Sequence, residues 1–175
     1  LDKNNGQISF AGPDPRMGTL NASDISCSNG RDVWVGGSSG LWHIEASTGE
    51  FTPILMDGNP IEWVSSICED AEGYLWVCCC EHGLYRYDTK TFSFRKYSED
   101  RLYWSNVAYK DLKGRLWVGT WGKGLLRIDA PHAPGNLSCI VYSNTPEAGS
   151  LLDDVIYDIG QDSEGRLMVA SRSGL

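Results

Sequence analysis

Asp70-Ala71-Glu72-Gly73-Tyr74-Leu75-Trp76-Val77, followed by Gly83-Leu84, is the stretch that decides the fold. Its core, Gly-x-Leu-Trp-Val, returns as Gly114-Arg115-Leu116-Trp117-Val118 before Gly124-Leu125. A looser copy stands upstream: Gly30-Arg31-Asp32-Val33-Trp34-Val35 before Gly40-Leu41, with one extra residue after the glycine. Another stands downstream: Gly165-Arg166-Leu167-Met168-Val169 before Gly174-Leu175. Trp34 and Trp76 are 42 residues apart, and Trp76 and Trp117 are 41 apart. A period of about 40–45 residues marks propeller blades or similar arrays. Each unit in such an array has an apolar face that it cannot bury alone.

The second unit shows the plan. Val64–Glu69 reads as a short strand. Asp70 to Gly73 has Asp first and Gly fourth, as a type I turn prefers. The same spacing recurs at Asp111–Gly114 and Asp162–Gly165. Repetition at one offset favours a turn over a carboxylate site, and a calcium loop needs further acidic ligands close by. Tyr74–Cys79 is rich in aromatic and β-branched residues and reads as a second strand. Leu84 to Asp88 and Phe92 to Tyr97 alternate and complete four antiparallel strands, the make-up of a blade. The expected fold is therefore all-β: a partial β-propeller of four-stranded antiparallel blades, with about three full blades and parts of others. The whole chain, 1–175, reads as a fragment of one propeller, with repeats near 20–60, 61–102, 103–150 and 151–175, the last incomplete. Residues 8–10 fit the last strand of a preceding blade. Pro131, Pro134 and Gly135 mark 130–136 as an inserted surface loop. An arc of this kind exposes edges, so the fragment is expected to self-associate, to close as a small ring with its N-terminal strand, or to aggregate.

Composition narrows the function. Fifteen Lys and Arg against 23 Asp and Glu give a net charge of −8, which disfavours nucleic acid as a partner. No apolar run reaches eighteen residues. The chain starts at Leu1 and stops within a motif, so the expectation is a piece of a larger protein. Cys78, Cys79 and Cys80 are consecutive, with Cys27, Cys68 and Cys139 scattered. No Cys-x-x-Cys pair supports zinc, and small buried core residues are the favoured reading, with a disulfide left open.

Glu69 to Val77, then Gly83 to Asp88, then Phe94 to Tyr97, resemble the two-component regulator propeller repeat. Lys110 to Thr120, followed by Gly124 to Asp129, is similar to it again. The resemblance runs from about Leu20 to Leu175. Cys78-Cys79-Cys80 departs from the usual Val/Ile-Gly-Thr, and Met168 replaces Trp. The resemblance implies a periplasmic sensor region of a hybrid two-component histidine kinase in the inner membrane. Its partners would be an oligosaccharide ligand, the remaining blades and a second parent chain in a homodimer. Signals would control transcription, and the kinase chemistry would lie elsewhere in the parent. The alternatives are a propeller-type glycan lyase or hydrolase, or a protein-interaction scaffold.

Trp34, Trp76 and Trp117 share one repeat position and read as structural, as does Trp42. Trp63 and Trp104 are equivalent to each other and read first as repeat features. In a propeller, the loops between blades and the loops between strands two and three lie on one face. Here these loops supply Glu62, Trp63, His82, Arg101, Tyr103, Trp104, Asn106, Trp121 and Lys123 as candidate ligand contacts, because charged groups beside aromatics suit a polar ligand. No catalytic, metal or cofactor constellation is expected. His43 lies in a strand and His132 in the Pro-rich loop, and no nucleophile elbow, phosphate loop or His-Glu-x-x-His occurs. Asp153-Asp154 reads as a cap ahead of a strand.

Overall fold

The structure is a computed structural model that describes residues 21–27, 32–61, 63–97, 99–133 and 135–175. Among the described residues fifteen strands form four sheets in sequence order, and within each sheet every strand pairs antiparallel with the next. The first sheet is β1 (Ala22–Ser26), β2 (Asp32–Gly37), β3 (Gly40–Glu45), β4 (Glu50–Met56) and β5 (Asn59–Pro60). The second is β6 (Val64–Glu69), β7 (Tyr74–Cys79), β8 (Gly83–Asp88) and β9 (Ser93–Tyr97). The third is β10 (Ser105–Lys110), β11 (Leu116–Thr120), β12 (Leu125–Ile128) and β13 (Ile140–Tyr142). The fourth has β14 (Ile156–Gln161) and β15 (Leu167–Ser171). No helix occurs among the described residues, and none is long and apolar enough to cross a membrane.

The architecture is the expected one: antiparallel blades fanned so that each packs on the next. Local departures have local causes. The segment between the first and second blades carries β5, a two-residue return on β4 that adds a fifth strand. Phe92, expected to open the fourth strand of its blade, instead sits in the preceding turn at φ 56 and is 75% exposed. Its backbone N–H donates to Asp88 O at 2.8 Å, which closes that turn. The outer strand of the third blade is short, only Ile140–Tyr142. The expected strand at 8–10 lies outside the described residues.

The Asp-x-x-Gly turn is built around its carboxylate. Glu72 N and Tyr74 N donate to Asp70 Oδ1 at 3.1 and 3.0 Å, and the Trp76 indole Nε1 donates to Oδ2 at 2.9 Å. In the next blade Lys113 N and Arg115 N reach Asp111 Oδ1, and Trp117 Nε1 reaches Oδ2 at 2.8 Å. Asp162 makes the turn bonds with Glu164 N and Arg166 N, but Met168 offers no indole. Trp34, Trp76 and Trp117 are all buried, as their shared position requires. The first blade has no Asp at the corresponding place, and Trp34 Nε1 finds no partner among the described residues.

Among the described residues three of the four apolar clusters lie between blades; the fourth, on Val35 and Trp42, lies within the first. Trp34 and Leu41 pack with Val64, Ile67 and Tyr87 of the second blade. Trp76, Cys78 and Leu84 pack with Ala108, Leu116 and Ile128 of the third. Val107, Trp117 and Leu125 pack with Ile156 and Ile159 of the fourth. The contact at the centre of each interface is matched in volume. A Cβ on Gly36 would lie 2.3 Å from Val64 Cγ1 and 3.1 Å from Ile67 Cδ1, and one on Gly119 would lie 2.6 Å from Ile156 Cγ2. In the second blade Cys78 takes the glycine's place, and the next blade presents the smaller Ser105 and Ala108 where others present Val64 and Ile67, or Ile156 and Ile159. The unusual cysteine is therefore compensated across the interface. All six cysteines are unbridged. Burial raises the Cys68 thiol to about 11 and the Cys79 thiol to about 12, and raises the Cys78 thiol well above its ordinary value. These are inert packing groups.

Two outcomes follow for stability in urea. Gly119→Ala should cost about 1–3 kcal/mol through overpacking against Ile156. Asp111→Ala should cost about 3 kcal/mol or more, because it strands buried donors and the Arg115 guanidinium. Burial opposes ionisation of Asp111, but hydrogen bonds from Trp117, Arg115 and Lys113 outweigh it and hold its pKa below the usual value. A depressed folded pKa means its contribution is complete above about pH 4 and disappears as pH falls through the folded value. Acid titration of the wild type should show that loss, and the Asp111→Ala chain should lack that part of it.

Candidate functional site

Register defines which loops share an end. Val64 pairs with Cys79, Ser105 with Thr120 and Ile156 with Ser171. The start of each inner strand and the end of each second strand therefore meet, and the loops beyond them form one rim. Four equivalent backbone bonds pin it: Ser38 N to Asn21 O, Cys80 N to Trp63 O, Trp121 N to Trp104 O, and Arg172 N to Val155 O.

Just inside this rim every inner strand carries a β-bulge. The register slips at Ser23, Ser65, Asn106 and Tyr157. A bulge leaves one residue unpaired and re-aims its side chain. These four residues line a single cavity of 430 Å³, together with Asp24 and Asp158. The volume is within the range of small-molecule sites. Some of these side chains also bind the blades together. Ile67 N donates to Asp24 Oδ2 at 2.7 Å, and Ala108 N donates to Ser66 Oγ at 3.3 Å one repeat later. Asn106 Nδ2 donates to Ile156 O at 2.9 Å across the next interface. Asp153 caps the entry to β14, accepting from Val155 N at 2.9 Å, and that bond with those from Ser173 and Arg172 holds its carboxyl below the usual range. Asp154 accepts from Asn144 N at 2.6 Å.

The candidate residues divide into groups. Asn106 lines the axial cavity. Trp121, 44% exposed, meets Tyr157 edge to face at 5.5 Å, and Tyr103 meets Trp104 in the same way. Trp63 is 61% exposed at φ 57 while Trp104 is half-buried, so their shared position is fixed by the carbonyl and not by indole packing. His82 is half-buried, with Nδ1 3.1 Å from Cys80 O, and Lys123 pairs with Asp100 at 3.0 Å. Arg101 turns outward, its Nη1 3.8 Å from Cys139 Sγ ahead of the outer strand, and so leaves the axial group. Glu62 lies outside the described residues. The reading from sequence missed Ser23, Asp24, Ser65, Tyr157 and Asp158. Ser23, Ser65, Asn106 and Tyr157 share one repeat offset, two places after Asn21, Trp63, Trp104 and Val155, but residue type does not mark the bulge. The reading from sequence also missed what His132 does. The loop after β12 carries that side chain to the turn end of the second blade, 3.3 Å from Asp70 and 3.4 Å from Glu72.

Among solved structures, the extracellular domain of BT4673 from B. thetaiotaomicron, described both as a one component and as a hybrid two component system, superposes with a TM-score of 0.69. It is 21% identical over 87% of this chain and 20% of that one. The extracellular domain of BT3049 from the same organism gives 0.59, with 19% identity over 87% of this chain and 26% of that one. A catalytically inactive virginiamycin B lyase from Staphylococcus aureus with quinupristin gives 0.63, with 16% identity over 86% and 48%. At these identities the likeness speaks for the fold. The chain spans about a fifth of the BT4673 domain's length. No curated protein matches it.

Exposure of the rim can be checked by acrylamide quenching of fluorescence. Trp121→Phe should reduce the quenchable emission, whereas Trp76→Phe should leave it unchanged and so raise its share of the total, because Trp76 is fully buried. Equal effects would contradict the placement. The chain is a run of β-propeller blades, and its residues 58–81 match the family model described as two component regulator propeller.

Proposed function

We propose that this chain is part of an extracytoplasmic ligand-sensing propeller of a hybrid two-component histidine kinase, and that its ligand is an oligosaccharide. One observation carries the reading. Exposed aromatic side chains, Trp63, Tyr103 and Trp121, lie on the rim, and Trp121 meets Tyr157, which lines the axial cavity with Ser23, Asp24, Ser65, Asn106 and Asp158. Flat apolar faces beside hydroxyl, amide and carboxylate groups suit a hydroxylated ring. The family match at 58–81 supports a sensory context.

Kinase, membrane anchor and transcriptional output belong, on this reading, to a longer parent in the inner membrane that works as a homodimer. The ligand acts by favouring one arrangement of paired sensors, which requires unequal affinity for the two arrangements. A lyase reading draws nothing from the axial cavity, whose described lining has no histidine.

The test is calorimetric titration of the purified chain with a panel of plant and host oligosaccharides. The expected result is binding to a restricted set, weakened at least tenfold by Trp121→Ala or Tyr157→Ala. Binding to no saccharide, or binding indifferent to both substitutions, overturns the proposal.

A further inference from the structure

The Asp-x-x-Gly turns lie at the opposite end of the blades from the rim. In the third and fourth blades each turn carboxylate has its own cation. Arg115 Nη2 lies 2.6 Å from Asp111 Oδ2, and Arg166 Nε lies 2.6 Å from Asp162 Oδ2. In the second blade Tyr74 stands where Arg115 and Arg166 stand. The Asp70 side chain is wholly buried, so its charge must be met from elsewhere. Three groups converge on it from three places in the chain: Glu72 of the same turn, Lys110 at the end of β10, and His132 from the inserted loop.

The His132 geometry is not that of an ordinary hydrogen bond. Nε2 lies 3.3 Å from Asp70 Oδ2 and 3.4 Å from Glu72 Oε2, yet neither ring nitrogen makes a hydrogen bond, and both are buried. The ring is held by stacking, 5.2 Å from Tyr74 and 6.0 Å from Trp76. The three ligand atoms all lie within 4.8 Å of one another. A tetrahedral zinc ion with bonds of about 2.0–2.1 Å separates its ligand atoms by about 3.3–3.4 Å. The separations of His132 Nε2 from Asp70 Oδ2 and from Glu72 Oε2 fall at that edge length.

We propose that Asp70, Glu72 and His132 form a zinc site that fastens the inserted loop of the third blade to the second blade. One nitrogen and two carboxylate oxygens leave a fourth position for water, an open coordination that suits zinc. Asp70 Oδ2 keeps its bond from the Trp76 indole, which orients the carboxylate as an outer-shell partner does. Lys110 supplies positive charge in the metal-free chain, with Nζ 2.8 Å from Glu72 Oε2 and 3.9 Å from Asp70 Oδ2. Zinc displaces that ammonium, whose long stem lets it reach solvent. The site is independent of the axial cavity and of any ligand there.

The experiment measures zinc uptake by calorimetry and by metal analysis after dialysis, for the wild type, His132→Ala, Glu72→Gln and Lys110→Met. The wild type should bind one zinc that His132→Ala does not. Loss of a ligand should exceed the 10–100-fold cost typical of an outer-shell change, so Glu72→Gln should weaken binding at least about a hundredfold. Lys110→Met should bind zinc more tightly than the wild type. Cobalt loaded in place of zinc should show tetrahedral visible bands without a thiolate charge-transfer band, which separates this site from the cysteines. Equal uptake by wild type and His132→Ala, thiolate ligation of the bound metal, or unchanged affinity in Lys110→Met would each overturn the proposal.

Discussion

The bond from a buried indole N–H to the carboxylate of an Asp-x-x-Gly turn is the constraint on which the blades depend. It joins two things that the sequence keeps six residues apart, Asp70 with Trp76 and Asp111 with Trp117. One carboxylate oxygen satisfies the turn's backbone donors, and the other satisfies the only polar atom of the largest core side chain. A buried Trp without that partner carries a desolvation cost of about 1–3 kcal/mol. The first blade carries it at Trp34 Nε1, and the fourth avoids it by using Met168. The repeat is therefore strongest in its two central blades, where turn, strand and core are specified by a single side chain.

This also explains how much of the fold could be read directly. Gly-x-Leu-Trp-Val with an upstream Asp is legible because its partners are close in sequence. The antiparallel order follows from it, since each strand meets its sequence neighbour. What was not legible depends on other blades. Cys78 looks anomalous alone and becomes ordinary beside Ser105 and Ala108, which are smaller than their counterparts in other blades. Phe92 reads as a strand residue by hydrophobicity, yet the preceding turn places it at positive φ and in solvent.

The candidate site was less legible, for a related reason. The rim loops were identifiable because topology assigns them to one end, but loop residues are free to turn either way. Trp121 turns toward Tyr157, whereas Arg101 turns outward to Cys139. The axial side chains were hidden because a bulge breaks strict alternation by one residue. Counting alternate positions from Val64 cannot predict that Ser65 faces the cavity. His132 was hidden because its partners, Asp70 and Glu72, lie about sixty residues earlier in the chain.

The blade-to-blade bonds limit how this propeller can transmit anything. Asp24 holds Ile67 N, Ser66 holds Ala108 N, and Asn106 holds the Ile156 carbonyl, so adjacent inner strands are tied by polar bonds beside the cavity. Apolar clusters tie the same strands farther out. Sliding one blade against another would break a partly buried polar bond and unseat a volume-matched contact such as Gly119 against Ile156. Packed interfaces of this kind shift between discrete arrangements rather than deform gradually. Occupation of the axial cavity would thus be expressed less inside these blades than in how they meet their neighbours. The rim backbone is tied as well, by Trp121 N to Trp104 O and by Gly122 N and Gly124 N to Asp154 O, which leaves exposed side chains such as Trp121 and Tyr157 as the part with room to turn.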